Sequence, residues 1–287
     1  SPKFNIVSPG ADPTVFHAYN AESTVPAEIA RDVADLVHGG PRADARGEFA
    51  DKKKPMLFAM SRLDSIKNMT GLVDWYGANA PLRQRANLLL IGGHFLPEDS
   101  TDEEEREQIR LLHELIQRHQ LEGSVRWILM QTDKIKVGEF YRYVARHGGA
   151  FVQPARFEAF GLTVIEAMTS GLPVFATCYG GPLEIIEDGV SGFHIDPNDG
   201  AAAANRMLEF FNRCADDPDY WKRISDGAMK RVEEHYTWKR YARRMLSLSR
   251  IYGFWKYMTN IEHADTRVYV SMFYHLIYKR LAEQIPT

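Results

Sequence analysis

From about residue 56 onward, short apolar runs alternate with helix-patterned segments, and this restricts the fold more than any other feature of the chain. The runs are MLFAM (56–60), NLLLI (87–91), VRWIL (125–129), AFVQ (150–153) and PVFAT (173–177), with FHI (193–195) as an edge. Unbroken apolar runs of this length suit strands buried on both faces, as in a parallel sheet covered by helices. One intervening segment, TDEEEREQIRLLHELIQRHQ, carries acids in its first turns and then Ile109, Leu112 and Ile116 on one face. The helix dipole favours the acids there, and the apolar stripe faces a core. Strands and helices in alternation predict an α/β fold with a doubly wound parallel sheet, whose ligands bind outside the carboxyl ends of the strands.

The flanks differ from this unit. Residues 1–55 read as a connecting segment with a first strand, in which PAEIARDVADLVHGG is the one clear helix, with Pro26 at its start and Gly39 and Gly40 past its end. Residues 238–287 read as a helical extension. Trp238, Tyr241, Met245, Leu248, Tyr252 and Trp255 recur at helical spacing, and Val270, Phe273, Ile277 and Leu281 form a second stripe. Such seams pack on something. Aromatics among Arg and Lys could also stack on nucleic acid, but a net charge of −3 gives no basic excess for it, and helical spacing favours packing. No apolar stretch reaches the roughly 20 residues that a membrane helix needs. Two cysteines, Cys178 and Cys214, make no disulfide framework, which favours a reducing compartment, the cytoplasm by default. The opening SPKFNIVSPG lacks an initiating Met and begins almost on a strand, as in a piece of a longer chain.

Within the expected rim of strand ends, ARFEAFGLTVIEAM places Glu158 and Glu166 around Gly161. In a single helix the two would lie about 12 Å apart along the axis and roughly 80° apart around it, on different faces. If Gly161 opens the helix instead, Glu158 sits on the entering loop and Glu166 about a turn inside, an arrangement for one long ligand. The free N–H groups and positive dipole end of that helix form an anion site. Arg62 and Lys67 follow the run MLFAM on the same rim. A rigid donor fork and a mobile point charge suit the several oxygens of a diphosphate. Taken alone, that pair more often marks an ordinary solvated surface. Taken with the glycine turn, the set points to a nucleotide-sugar, with Glu166 accepting from ribose hydroxyls and Glu158 facing the group beyond the phosphates.

Other candidates carry less. His113 and His119 lie six apart on a helix, on different faces, and read as surface residues. No His or Cys spacing forms a metal site, and the Asp217-Pro218-Asp219 stretch reads as a helix-capping turn rather than a metal-binding acidic pair. The glycine pairs in GGH (92–94) and YGGP (179–182) could be tight turns or close approaches to a sugar. A glycosidase pair of carboxylates would leave the phosphate-binding features unused.

The stretch FEAFGLTVIEAM followed by SGLPVFATCYGGPLEIIEDGVSGFHIDP resembles the retaining glycosyltransferases of GT-B architecture, and among them the sucrose synthases, with the sucrose-phosphate synthases as the neighbouring alternative. FNIVSPGAD (4–12), KKKPMLFAMSRLDSIKNMTGLVDWYG (52–77), GEFYRYV (138–144) and YGFWKY (252–257) extend the resemblance through most of the chain. It implies a Rossmann-like UDP- and UDP-glucose-binding domain over 56–237, the C-terminal half of a two-domain enzyme, with the extension packing towards an N-terminal half that supplies the acceptor-side groups. The implied reaction is sucrose plus UDP giving UDP-glucose plus fructose, reversibly, with anomeric retention, no metal or other cofactor, and a homo-oligomeric enzyme. A non-catalytic nucleotide-sugar-binding module would share the site. By the resemblance, Arg62 and Lys67 grip the diphosphate and assist its departure, and Glu158, with the backbone of Phe160 and Gly161, contacts the transferred sugar. Leu162 and Thr163 cover the diphosphate, Glu166 holds the ribose and Gln131 stands beside the uracil. Val137 stands where sucrose synthases often carry Asn, which removes a polar contact near the base.

Overall fold

The structure, a computed structural model, describes residues 9–21, 25–40, 42–259, 270–279 and 283. The chain divides into two compact units, Ser8–Trp238 and a second made of Ser1–Val7 with Lys239–Thr287.

The first unit is built on a seven-stranded sheet in the order β1-β4-β3-β2-β5-β6-β7. Its strands are β1 (Ala45–Arg46), β2 (Met56–Met60), β3 (Asn87–Ile91), β4 (Val125–Ile128), β5 (Ala150–Gln153), β6 (Val174–Thr177) and β7 (Phe193–Ile195). All pairings are parallel except that of β1 with β4. The strand order fixes where a ligand can enter. From β2 the chain steps outward through β3 and β4, then returns to place β5 on the other side of β2 and steps outward again through β6 and β7. The loops leaving β2 and β5 therefore diverge to opposite faces and open a crevice between them, the topological switch point of a doubly wound sheet.

Both faces are covered. On one lie α1 (Ala27–His38), α5 (Lys134–Arg146), α6 (Leu162–Thr169), the short α7 (Pro182–Ile185) and α9 (Tyr220–His235), and on the other α2 (Met69–Ala78), α3 (Ala80–Arg85), α4 (Glu103–Arg118) and α8 (Gly200–Asp216). The side-chain period of two sends Met56 and Phe58 of β2 into the first core and Leu57 and Ala59 into the second, so every residue of β2 but Met60 is buried. The expected helix over the acidic segment is α4, capped by the Asp102 side chain, with Ile109 and Leu112 buried.

Residues 8–55, which read as connection in the sequence, belong to this unit. Val33, Leu36 and Val37 of α1 are buried in the first core, and β1 seals the β4 edge as an antiparallel strand. Two residues are too few for any periodicity to announce a strand. His113 and His119 depart from the surface reading: both are half-buried, with His113 Nε2 2.8 Å from the Phe95 carbonyl and His119 Nε2 2.8 Å from Asp74. Asp217 closes α8 and Asp219 opens α9, with the Asp219 N–H donating to the Asp217 carboxylate at 3.1 Å, but the Asp219 side chain makes no capping hydrogen bond to α9.

The second unit carries most of α10 (Trp238–Thr259), a helix with Met245, Leu246, Ile251 and Tyr252 exposed. The side chain of Trp255, together with Leu281 and residues 4–8, lies outside the described residues. Among the described residues no helix is long and apolar enough to cross a membrane.

Candidate active site

The crevice between β2 and β5 holds a cleft of about 320 Å³ lined by Met60, Ser61, Arg62, Lys67, Met69, Val152, Gln153, Pro154, Glu158, Phe160, Leu162 and Thr163. Two loops, one leaving each strand, supply the polar groups. The loop after β2 turns at Asp64, whose side chain accepts from the Lys67 N–H at 3.0 Å and pairs with the Arg62 guanidinium at 3.0 Å. Arg62 is otherwise exposed and also borders a second cleft of about 280 Å³, with Gly93, His94, Glu105, Leu129 and Met130. The loop then enters α2 through Asn68, a left-handed residue with φ 57° whose side-chain N–H donates to the Pro154 carbonyl at 3.0 Å. The Arg156 N–H donates to the Ile66 carbonyl at 2.8 Å, a second tie between the loops.

Glu158 stands at the centre of these contacts. Its Oε2 accepts from Lys67 Nζ at 2.8 Å and from Gln153 Nε2 at 2.9 Å, while Oε1 faces the N–H groups of Gly161 at 3.3 Å and Phe160 at 3.5 Å. Burial alone would push this carboxyl up; the Lys67 hydrogen bond and charge, helped by the two backbone N–H groups, outweigh it and hold the carboxyl below the ordinary glutamate value. Gly161 opens α6 with φ 83°, the left-handed region that glycine enters without penalty, and turns the chain from the Glu158 loop into the helix. The same loop is stitched to the turn after β6, where the Glu158 N–H donates to the Tyr179 carbonyl and the Gly181 N–H to the Glu158 carbonyl. A Cβ at Gly180, where φ is +100°, would lie 2.1 Å from that Glu158 oxygen, so the close approach requires glycine.

Glu166 lies a turn into α6, as expected, and meets α5: the Tyr141 hydroxyl donates to its Oε2 at 3.3 Å. Burial pushes the Glu166 carboxyl up to about 7, with the Tyr141 hydrogen bond and the Lys134 charge acting weakly against it. Gln131 follows β4 on the same rim and donates its side-chain N–H to the Leu129 carbonyl at 2.8 Å; it borders neither of the two clefts. Val137 is buried in the first core. Arg62, Lys67, Glu158, Phe160, Leu162 and Thr163 are thus gathered around one cleft, with Gly161 shaping its wall, while Glu166 and Gln131 stand outside its lining.

Gln153 and Tyr141 escaped the sequence reading. Gln153 had a readable signal, being a polar residue at the carboxyl end of an otherwise apolar buried strand. Tyr141 had none, since its phenol shares a helix face with ordinary core residues.

Comparison with known proteins agrees with this geometry. The chain is 54% identical over 282 residues to a sucrose synthase of Denitrovibrio acetiphilus, covering 98% of this chain and 36% of that protein. It is 47% identical to sucrose synthase 3 of Arabidopsis thaliana over 287 residues, covering 100% of this chain and 36% of that one. The chain therefore spans little more than a third of the length of these relatives. Among solved structures, the sucrose-phosphate synthase of Thermosynechococcus elongatus superposes with a TM-score of 0.62 at 24% identity, over 86% of this chain and 52% of that one. The C-terminal domain of a glycosyl transferase group 1 protein from Francisella tularensis superposes with a TM-score of 0.57 at 18% identity, over 79% of this chain and 99% of that one. The profile of the group 1 glycosyl transferases matches residues 42–227, from the loop before β1 into α9, and by that match, which takes in the whole sheet and both loops of the cleft, the chain is a member of the group 1 glycosyl transferase family.

Proposed function

We propose that this chain is the nucleotide-sugar-binding part of a sucrose synthase, which with a second part transfers glucose reversibly between sucrose and UDP, with anomeric retention. The observation that carries the reading is the convergence of Lys67, Glu158 and the Gly161 turn on one cleft at the switch point of the sheet. The diphosphate lies over the glycine turn, within reach of Lys67 and Arg62. The sugar hydroxyls donate to Glu158, and the ribose to Glu166. In the transition state the anomeric carbon carries positive charge and the departing diphosphate gains negative charge; the charges of Lys67 and Arg62 beside the diphosphate lower the barrier without a divalent metal. Cytoplasmic location and homo-oligomeric assembly belong to the same reading.

Two measurements on the chain itself test the donor side. Calorimetric titration gives UDP an affinity roughly tenfold or more above that of UMP, because hydrogen bonds to charged groups contribute about 1.5 to 3 kcal/mol each. A chelator leaves that affinity unchanged. Equal affinities for UDP and UMP would remove the diphosphate from the site. With fructose and fructose 6-phosphate offered as acceptors to the complete enzyme, fructose is the one glucosylated; the reverse preference would indicate a sucrose-phosphate synthase.

Glu166 supplies a further expectation. A carboxyl that titrates at about 7 when free is half protonated at neutral pH, and two ribose hydroxyls donating to it favour the ionised form. Binding of UDP-glucose at pH 7 therefore releases about half a proton, read from the dependence of the binding enthalpy on buffer ionisation, and Glu166→Gln abolishes the release. The stability linkage runs in the corresponding sense. Between the unfolded glutamate value and about 7 the folded chain holds the extra proton, so this group's contribution to stability falls as pH rises through that window.

A further inference from the structure

Four donors surround the Glu158 carboxylate, and they are not equivalent. The N–H groups of Phe160 and Gly161 are fixed by the backbone. Lys67 is flexible, charged and in the wall of the cleft, so a diphosphate there competes for its ammonium. Gln153 is the fourth: it closes β5, its backbone is locked in register against Ala176 of β6, and the residue is only 5% exposed. Its Nε2 reaches Glu158 Oε2 at 2.9 Å, the same oxygen that Lys67 holds at 2.8 Å. The Gln153 Oε1 is buried without a hydrogen-bond partner. A glutamine serving packing alone would satisfy both ends of its amide, or be replaced by an apolar side chain of the same shape. Here the acceptor end is left unsatisfied so that the donor end can meet a carboxylate. The opposite amide orientation would set Oε1 against Glu158 and is electrostatically excluded.

We infer that Gln153 is a positioning residue, holding the Glu158 carboxylate towards the transferred sugar when Lys67 turns from it to the diphosphate. The inference rests on the donor-site reading above and adds a division of labour to it. Lys67 and Gln153 share one oxygen of Glu158. With nucleotide-sugar bound, Lys67 serves the phosphates, and Gln153 with the two backbone N–H groups keeps Glu158 aimed. Loss of the Gln153 N–H therefore affects ligands that carry the sugar and spares those that end at the diphosphate.

The test compares UDP and UDP-glucose binding to the chain by calorimetry, for the wild type, Gln153→Met, Gln153→Glu and Glu158→Ala. Methionine preserves volume and removes the donor, and thermal denaturation within a few degrees of the wild type shows the fold retained. Gln153→Met is expected to bind UDP within about twofold of the wild type and to lose roughly tenfold or more in UDP-glucose affinity, the worth of one hydrogen bond to a charged group. Gln153→Glu sets two carboxylates on one site, which share a proton at a raised pKa. Its UDP-glucose affinity is therefore restored towards the wild-type value at pH 5.5 and lost at pH 8, a pH dependence that a packing role would not produce. Equal losses for UDP and UDP-glucose in Gln153→Met, or no loss for either, would overturn the inference. If Glu158→Ala weakens UDP-glucose while Gln153→Met does not, the donor-site reading stands and the role of Gln153 falls. If Glu158→Ala leaves UDP-glucose affinity unchanged, both fall together.

Discussion

Arg62→Ala and Lys67→Ala, introduced into the enzyme completed with the remaining length of its relatives, each lower kcat by about 10² to 10³, a larger factor than that by which they weaken ground-state binding of UDP-glucose. The magnitude is that of removing one preorganised group from a site where charge grows in the transition state, about 2.7 to 4 kcal/mol of barrier. The two variants should nevertheless differ in one respect. Arg62 is exposed and paired with Asp64 rather than with Glu158, so its removal leaves Glu158 untouched. Lys67 is the counter-charge that outweighs the burial of Glu158. Without it the carboxyl titrates higher, and the acid limb of the Lys67→Ala pH–rate profile moves to higher pH while that of Arg62→Ala stays in place. Steady-state kinetics across pH 5 to 8 reads both effects. A change confined to KM in either variant would place that residue in ground-state binding alone.

The chain by itself is expected to release no measurable fructose from sucrose and UDP, and addition of the part its relatives carry beyond it restores turnover. Lys67 and Glu158 line one crevice of one sheet, beside the Gly161 turn, and on the proposed reading these groups hold the leaving group alone. Orienting both reactants is worth roughly 7 to 11 kcal/mol in well-aligned reactions, and a single wall forgoes it. A coupled assay for fructose on the chain, on the complete enzyme and on the two parts mixed measures the difference directly. Turnover by the chain alone at the rate of the complete enzyme would place the acceptor site within these residues.

How far the sequence could be read depended on the physical character of each signal. The strands from β2 to β7 were legible because burial on both faces leaves an apolar run with no polar interruption, and α4 because its acidic start and apolar stripe are both local. β1 was not legible, being two residues long and defined by its partner β4. Strand order was illegible for a deeper reason. Nothing in the run AFVQ says that β5 returns to pair with β2, yet that return opens the cleft and brings Lys67 within 2.8 Å of Glu158 across a gap of 91 positions. The spacing of Glu158, Gly161 and Glu166 correctly announced a helix opened by glycine. It could not announce that Glu166 turns to Tyr141, or that Gln153 joins Lys67 on one oxygen.

The two ties between the cleft loops, Asn68 to Pro154 and Arg156 to Ile66, bear on how such an enzyme could acquire a new donor. Each tie joins a residue of the β2 loop to one of the β5 loop, so neither loop carries its own conformation independently. Three of the four groups in these ties are backbone, and only the Asn68 amide belongs to a residue type, so a graft that replaces residues 61–68 keeps its clasp when it brings an asparagine at 68. Exchanged as a pair, the loops bring both halves of the clasp with them. Recombination between family members should therefore keep the two loops joined wherever the incoming β2 loop carries an amide donor at position 68, and lose one tie where it does not.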